Sequence, residues 1–241
     1  MIYITGDTHA EVDIHKISNK ALKPLGISLT DKDYLIIAGD FGFPFYPSDI
    51  SEYENNQKSE YTYWINWLKN KPYNILFVDG NHDNHVFWKK QPTTKMFNGL
   101  VQIHPHANNI IHLMRGQVYT IEDHTFFTMG GAKSTDIYNR TEHKSWWKEE
   151  LPCQKEYEIA MNNLENYNFN VDYVVIHTCA TSYLQDLYGY ETRSDELTSF
   201  FNHLEFDFKL NFKHWYFGHH HKDRGIDNKH TCLYYDVVKI C

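Results

Sequence analysis

Short runs of consecutive apolar residues recur along this chain, and they constrain its fold more than any other feature. Five of them are IYIT (2–5), DYLIIAG (33–39), NILFVDG (74–80), VDYVVIH (171–177) and HWYFGH (214–219). Runs that are apolar on successive residues are typical of strands buried on both faces of a sheet. Further strand candidates are CLYYDVV (232–238) and, around RGQVYTIED, the runs IIHLM (110–114) and HTFFTM (124–129).

Amphipathic stretches between these runs predict helices. Apolar side chains share one helical face at Tyr61, Trp64, Trp67 and Leu68, at Leu197, Phe200, Phe201 and Leu204, and more weakly over residues 159–167. Ser194 is placed to cap the second of these helices. Strands that alternate with helices predict an α/β fold. Because the chain has no internal repeat and no Gly-, Ser- or Pro-rich linker, we expect a single domain over residues 1–241.

Charge and cysteine content restrict the class of partner. The 241 residues carry a net charge of −8, with acidic residues spread along the chain. A protein that binds long nucleic acid needs a basic face, so we expect no such partner, whereas a small phosphorylated substrate held by metal stays possible. The four cysteines form no CxxC pair and are expected to be the reduced thiols of a cytoplasmic protein. The first ten residues, MIYITGDTHA, lack the pattern of a signal peptide. Because no apolar run approaches ~20 residues, we expect no membrane segment.

Polar residues follow five of the apolar runs, where each predicted strand ends. They are Asp7 and His9, Asp40, Asn81, His177, and His219 and His221, and four of the five groups are preceded by glycine. Open α/β sheets place ligand sites at the carboxyl ends of their strands. One such residue alone is usually a turn or a hydrogen-bonded core residue. Burying seven such side chains without partners would destabilise the fold by several kcal/mol. Divalent cations bound by these side chains would remove that cost. The pattern therefore predicts a metal site.

The ordered blocks GD-x-H, GD, GNHD, H and GH-x-H resemble the calcineurin-like metallophosphoesterase family over residues 7–221. The resemblance implies a two-sheet mixed β-sandwich with helices on both outer faces, which is a four-layer αββα fold. It also implies a metal-dependent hydrolase of phosphate esters.

The same resemblance implies two metal ions that share one ligand. The first would be held by Asp7, His9, Asp40 and His221, and the second by Asp40, Asn81, His177 and His219. Mixed carboxylate, amide and imidazole ligands suit transition metals better than Ca²⁺, and we expect Mn²⁺ first, with Fe, Zn²⁺ or Ni²⁺ as alternatives. Two divalent ions about 3.5–4 Å apart can clamp a phosphoryl group and acidify a bridging water. His220 is expected to point away from the metals, because alternate side chains of a strand face opposite sides.

His82 and Asp83 complete the GNHD block. In the family this histidine is not a ligand. It lies near the leaving-group oxygen, so the resemblance implies that His82 stabilises or protonates that oxygen while Asp83 orients the ring. The alternative is that His82 only supports Asn81 within the metal site.

A second stretch, GGAKSTDIYNRTEHKSWWKEELP (130–152), resembles a bacterial and phage subset of the family with the pattern GGA-x-S-x-D…R…WW…E. The resemblance implies that Ser134, Asp136 and Arg140 lie on a loop that reaches the metal site, with Arg140 binding the substrate phosphate. The alternative for Arg140 is a salt bridge to Asp136 or Glu142. Trp146 and Trp147 are expected to anchor the loop.

Two residues depart from the family pattern. Ala10 stands where the first block usually has glycine, and it is expected to crowd the turn slightly. The segment HTCAT around His177 resembles the HT-x-P block of the subset, but Ala180 replaces the proline. Neither departure removes a predicted ligand.

These observations predict a binuclear hydrolase of a phosphate monoester or diester that acts on a small or nucleotide-like molecule. A metal-dependent nuclease on short nucleic acid is one alternative, although it would need a basic groove. A non-catalytic, metal-stabilised binding protein is another. A mononuclear zinc hydrolase would leave Asp40 without an obvious role. Neither the natural substrate nor the oligomeric state follows from the sequence.

Overall fold

A computed structural model describes residues 1–189 and 194–241 of the chain. Its strands, in chain order, are β1 (Ile2–Thr5), β2 (Tyr34–Ala38), β3 (Asn74–Val78), β4 (Thr93–Met96), β5 (Gly99–His104), β6 (Ala107–Leu113), β7 (Gln117–Ile121), β8 (His124–Met129), β9 (Tyr173–Ile176), β10 (His214–Phe217), β11 (Arg224–Gly225), β12 (His230–Cys232) and β13 (Val238–Lys239). The helices are α1 (Asn19–Leu22), α2 (Asp49–Glu54), α3 (Glu60–Lys69), α4 (His85–Trp88), α5 (Gln154–Asn166), α6 (Thr181–Tyr188) and α7 (Glu196–Asn202).

The strands form two mixed sheets. In the first, the order is β13, β1, β2, β3, β6, β5, β4, with β1, β2, β3 and β6 parallel and the remaining strands antiparallel to their neighbours. In the second, the order is β11, β12, β10, β9, β8, β7, with β8, β9, β10 and β12 parallel. The parallel strands lie in the middle of each sheet, so their carboxyl ends are available to build a site.

Apolar side chains on opposite faces of the central strands create three buried layers. Ile36 lies between the two sheets with Leu76 and Val175, whereas its neighbours Leu35 and Ile37 face the opposite side of the first sheet. There they pack with a cluster that includes Trp64 and Ile65 of α3 and Leu22 of α1. The outer face of the second sheet is covered by Leu164 of α5, Leu184 of α6 and Phe201 of α7. The four-layer arrangement of helices, sheet, sheet and helices confirms the fold expected from the family resemblance.

The strands predicted at 2–5, 33–39, 74–80, 171–177 and 214–219 are confirmed, and the region between residues 110 and 129 contains β6, β7 and β8. The strand predicted over residues 232–238 is wrong. There Asp223 accepts backbone N–H bonds from Tyr234, Tyr235 and Asp236 at 2.7–2.9 Å. Because a carboxylate takes up these donors, the segment leaves the sheet after Cys232 and joins the other sheet only at β13.

The hairpin β4–β5 is absent from the sequence prediction, because β4 is an edge strand whose side chains are mostly exposed and polar. The three predicted helices are present as α3, α5 and α7. The N-cap of α7 is Asp195 rather than Ser194, and the Asp195 side chain accepts from the backbone N–H of Thr198 at 2.9 Å. Among residues 1–189 and 194–241, no helix combines the length and apolar character needed to cross a membrane.

Candidate metal centre

Five strand ends from the two sheets meet at one edge of the sandwich. Strands β1, β2 and β3 lead into Asp7, Asp40 and Asn81, while β9 and β10 lead into His177 and His219. The carboxyl groups lie deep in this edge, since Asp7 is 0 % exposed and Asp40 is 1 % exposed. The structure thus brings the predicted residues of both sheets into one cluster.

The first predicted ligand set is assembled around two carboxylates. Nε2 of His221 lies 3.3 Å from Oδ2 of Asp7, and Nε2 of His9 lies 3.3 Å from Oδ2 of Asp40. Potential ligand atoms of Asp7, His9 and His221 all lie within 4.8 Å of one another. This spacing allows a single ion to contact the three side chains.

The second predicted set meets the first at Asp40. Nε2 of His177 lies 3.3 Å from Oδ2 of Asp40 and 3.2 Å from Oδ1 of Asn81. The ring of His219 is 5.0 Å from that of His177, and the His219 backbone N–H donates to Asp7 at 2.9 Å. One oxygen of Asp40 therefore lies between an imidazole of each set, which is where a shared ligand has to be.

Two of the ligand imidazoles are held by their outer nitrogens. Nδ1 of His177 donates to the carbonyl of Ala38 at 2.8 Å, and Nδ1 of His9 lies 3.0 Å from Oδ2 of Asp13. Each contact fixes the ring so that Nε2 faces the cluster. Asp13 also accepts from the Tyr234 hydroxyl at 3.0 Å. The sequence interpretation did not identify Asp13, although its position four residues after His9 places it near that ring.

Glycines at the strand ends leave room for the carboxylates. A Cβ atom on Gly80 would lie 2.1 Å from Oδ1 of Asp40, and one on Gly218 would lie 2.1 Å from Oδ1 of Asp7. The ligand backbone is itself unusual. Positive φ angles occur at His9 (42°), Asp40 (50°), His219 (66°) and His221 (49°). Such conformations cost on the order of 1–3 kcal/mol each and tend to cluster at functional sites.

The two departures from the family pattern have local explanations. Ala10 has φ 49°, a conformation that glycine adopts without strain. The replacement of glycine by Ala10 therefore carries backbone strain, and the expected crowding of the turn stays a prediction. Ala180 is the N-cap of α6 with φ −63°, a value that proline also takes, so the backbone beside His177 keeps a proline-like geometry.

Asp83 does not hold the His82 ring, and that expectation is corrected. The two carboxylate oxygens of Asp83 accept from the backbone N–H groups of Gly42 and Gly80, each at 2.7 Å. Burial and the nearby charge of Asp40 raise the pKa of Asp83 to about 7. The side chain thus joins the loop after β2 to the loop after β3, and both of these loops carry predicted ligands.

His82 instead contacts Arg140. The two Nη atoms of Arg140 lie 3.1 and 3.2 Å from the two ring nitrogens of His82. Arg140 also pairs with Asp136 at 2.8 Å, which is one of the alternatives predicted for it. A ring nitrogen of His82 lies within 4.8 Å of ligand atoms of both His9 and Asp40, so His82 is close enough to the cluster to act on a substrate there.

The middle histidine of the GHHH run faces away from the cluster, although the predicted reason is wrong, because β10 ends at Phe217 and the three histidines lie in a turn rather than on a strand. His220 is buried, with Nδ1 2.8 Å from the Tyr188 hydroxyl and Nε2 3.4 Å from Sγ of Cys179. These contacts hold the centre of the turn on the side of α6, while His219 and His221 project toward the carboxylates.

Negative charge dominates the electrostatics of the cluster. Burial alone would raise the pKa of Asp40, but the charge of His177 and hydrogen bonds from His177 and His9 hold it well below its usual range. Burial would likewise lower the pKa of both imidazoles. The Asp40 contacts outweigh it, raising the pKa of His177 to about 10 and that of His9 to about 9. Without metal, protons on these rings compensate the buried carboxylates.

A cavity of about 680 Å³ opens beside the cluster. His9, His82, His221 and Arg140 line its inner end, and Phe43, Phe45, Tyr46 and Tyr61 supply aromatic walls. Its lining also includes the carboxylates of Glu11, Glu52 and Glu60, and the buried Asp49, which accepts from the backbone N–H groups of Phe45 and Tyr46. A second cavity of about 700 Å³, at α5 and α7, is lined by no predicted site residue.

The model of the calcineurin-like phosphoesterase family matches residues 1–223. The chain belongs to this family. Membership in the family implies a phosphoester hydrolase that uses divalent metal ions. A comparison with curated proteins found no match.

Two solved structures align with this chain over 97 % of its length. A "Putative 5'-Nucleotidase" from Staphylococcus aureus superposes with a TM-score of 0.47 at 13 % identity, covering 97 % of this chain and 48 % of that one. The chain therefore spans about half the length of that protein. Phosphopantetheinyl hydrolase from Mycobacterium tuberculosis gives a TM-score of 0.45 at 15 % identity, covering 97 % of this chain and 89 % of that one.

The donor set of the cluster fits the divalent ions that the calcineurin-like family implies. The cluster contains two buried carboxylates, an amide oxygen and several imidazoles. The Nε2 atoms of His9, His177 and His221 lie 3.2–3.3 Å from oxygens of Asp7, Asp40 and Asn81. Oxygen and imidazole donors of this kind bind Mn²⁺, Fe, Zn²⁺ and Ni²⁺. Anchored imidazoles are typical of metal ligands, because the outer hydrogen bond fixes the tautomer.

We predict that His177 stays protonated up to about pH 9 in chelator-treated protein, because its pKa is raised from 6.5 to about 10. Because the pKa of His177 is higher in the folded chain than in the unfolded chain, its protonation stabilises the metal-free fold. This contribution is at its full value below pH ~6.5 and is lost as the pH rises through about 10. Imidazole NMR shifts measured against pH check this, and Asp40→Asn should lower the pKa of His177. A wild-type His177 that titrates near 6.5 contradicts the electrostatic analysis.

Proposed function

We propose that the protein is a binuclear metal-dependent hydrolase that cleaves a phosphate ester of a small or nucleotide-like molecule, as a single cytoplasmic domain. The observation that carries the proposal is the position of Asp40. Its Oδ2 lies 3.3 Å from Nε2 of both His9 and His177, and those two histidines belong to different predicted ligand sets. A carboxylate between two sets of donors has the arrangement of a ligand shared by two ions.

Asp7, His9, Asp40 and His221 would hold the first ion, and Asp40, Asn81, His177 and His219 the second. We expect Mn²⁺ in both positions, with Fe, Zn²⁺ or Ni²⁺ as alternatives. When bound, such ions neutralise phosphoryl charge and activate water for in-line attack. The rings of His9 and His177, which are fixed through Nδ1, keep their Nε2 atoms aimed into the cluster, so these two ligands need little reorganisation when an ion enters.

His82 and Arg140 would act on the substrate from the cavity side. Burial and the neighbouring Arg140 charge lower the pKa of His82, although the charge of Asp40 opposes this. A neutral His82 can donate a ring N–H to the leaving-group oxygen as negative charge develops there. The Arg140 guanidinium carries a fork of N–H donors suited to phosphate oxygens. Asp83 would position the two ligand-bearing loops through Gly42 and Gly80.

The cavity favours a small substrate over a nucleic acid. A volume of about 680 Å³ is within the range of small-molecule sites. Further phosphate groups of an oligonucleotide would meet the carboxylates of Glu11, Glu52 and Glu60 along its wall. Because like charges repel, this wall opposes the nuclease alternative and favours a leaving group without extra negative charge. Turnover of an aryl phosphate that stops in chelator would exclude a non-catalytic binding protein.

We predict that purified protein carries close to two transition-metal ions per chain and loses hydrolysis in chelator. Asp40→Asn should lower occupancy at both positions, whereas His9→Ala should mainly affect one, because His9 is a ligand of the first ion only. Elemental analysis with titration calorimetry measures both effects. Full activity of a protein without bound metal would sink the assignment.

A second prediction concerns His82. His82→Asn should lower kcat by ~10²–10³, the usual effect of losing one preorganised donor in the transition state, with metal content retained. The loss should be smaller for nitrophenyl phosphate, whose leaving group is already a stable anion, than for an alkyl phosphate. If both substrates lose rate equally and metal content falls, His82 supports the metal site instead.

A third prediction concerns Arg140. Arg140→Ala should lower kcat/KM. The loss should correspond to roughly 1.5–3 kcal/mol of transition-state stabilisation, the range for a charged hydrogen bond, while metal content stays constant. Asp136→Asn is the matched control, because it removes the salt bridge but keeps the guanidinium. Equal losses in both variants would mean that the ion pair, rather than phosphate binding, is what the loop requires.

A further inference from the structure

The loop formed by residues 130–152 returns to the metal centre through two buried side chains, Ser134 and Glu150. They are 4 % and 3 % exposed. Oε1 of Glu150 accepts from the Ser134 backbone N–H at 2.8 Å, and Oε2 accepts from the Ser134 hydroxyl at 2.6 Å. Both oxygens of one carboxylate therefore accept from a single serine.

The backbone of Glu150 is fixed from the other side by Arg115. Nη2 of Arg115 donates to the carbonyl oxygens of Glu149 and Glu150 at 3.0 and 3.2 Å. Nε of Arg115 donates to Asp79 at 2.8 Å, and Asp79 stands directly after β3. The Glu150 carboxylate is thus held in place relative to the strand that leads into Asn81.

The Ser134 hydroxyl also contacts Asn81, with Nδ2 of Asn81 3.2 Å from Oγ. A hydroxyl has one proton to donate, and at 2.6 Å from Oε2 that proton points to the Glu150 carboxylate, which in its ionised form can only accept. Oγ then has only lone pairs left for Asn81, so the amide nitrogen has to face Ser134. The amide oxygen consequently faces His177, at 3.2 Å from its Nε2.

We propose that Ser134 and Glu150 are positioning residues that set the orientation of the Asn81 amide, so that its oxygen faces the second metal position. This inference rests on the proposed function in one respect, the assignment of Asn81 as a ligand. An amide presents either oxygen or nitrogen to a site, and only the oxygen has lone pairs for a cation. The direction of hydrogen bonds from Glu150 through Ser134 selects the oxygen.

Glu150→Gln tests the direction of these bonds while it preserves side-chain size. The glutamine oxygen can still accept from the Ser134 N–H, but its NH₂ group donates to Oγ. The hydroxyl proton then turns toward Asn81 and favours the flipped amide. Ser134→Ala removes the relay altogether. In the same loop, Glu149→Gln and Ser145→Ala are matched controls, because neither side chain contacts Ser134 or Asn81 among the bonds of the described residues.

The experiment is calorimetric titration of metal-free protein with Mn²⁺, together with thermal unfolding of each metal-free variant. Glu150→Gln and Ser134→Ala should weaken one of the two Mn²⁺ sites by ~10–100-fold, as when the outer partner of a metal ligand is removed. The other site and the Glu150→Gln unfolding midpoint should stay close to wild type.

Unchanged affinity at both sites in Glu150→Gln would overturn the inference and leave the proposed function standing. Equal weakening in the Ser145→Ala control would also overturn it, because loop packing alone would then explain the effect. Wild-type protein that takes up neither Mn²⁺ nor any of Fe, Zn²⁺ and Ni²⁺ would overturn the proposed function and this inference with it. The wild-type titration therefore separates the two failures.

Discussion

The burial of two carboxylates, Asp7 and Asp40, is the constraint on which the rest of the site depends. Charged groups removed from water cost several kcal/mol each unless a partner neutralises them. In the metal-free chain the partners are imidazoles, whose pKa values rise to about 10 at His177 and about 9 at His9 although burial opposes the rise. The same nitrogens are the ones that a metal ion would need. Metal binding and proton release are therefore coupled in this fold, and either one satisfies the charges that folding buries.

Holding these groups together requires an unusual backbone, and the sandwich supports it. His9, Asp40, His219 and His221 all have positive φ angles, which a flexible loop would not maintain. The central parallel strands fix where each loop begins, and Asp83 joins two of the loops through the N–H groups of Gly42 and Gly80. Asp83 therefore fixes the backbone of the ligand-bearing loops. In the same way, Asp13 and the Ala38 carbonyl fix the rings of His9 and His177.

The sequence was sufficient to predict the central strands and their polar ends, because both signals are local. An apolar run followed by glycine and a polar residue needs no knowledge of the rest of the chain. The supporting contacts were not predictable in this way: Asn81 and Ser134 are 53 residues apart, and their contact depends on how the chain crosses between the sheets. The strand predicted at 232–238 was wrong for a similar reason. The distant carboxylate of Asp223 binds the backbone N–H groups that a neighbouring strand would otherwise have paired.

The loop of residues 130–152 joins support and chemistry in one segment. Its base is fixed by Arg115 and Glu150, and its middle carries Arg140 against His82. A guanidinium beside an imidazole is tolerable only while the imidazole is neutral, which agrees with the lowered pKa of His82. Asp136, at 2.8 Å, compensates Arg140 from an exposed position. A substrate phosphate that approached the cluster would compete with Asp136 for this guanidinium. Asp136 is half exposed, so water can replace its contact when Arg140 turns to the phosphate, and the same move frees the ring nitrogens of His82 for the leaving group.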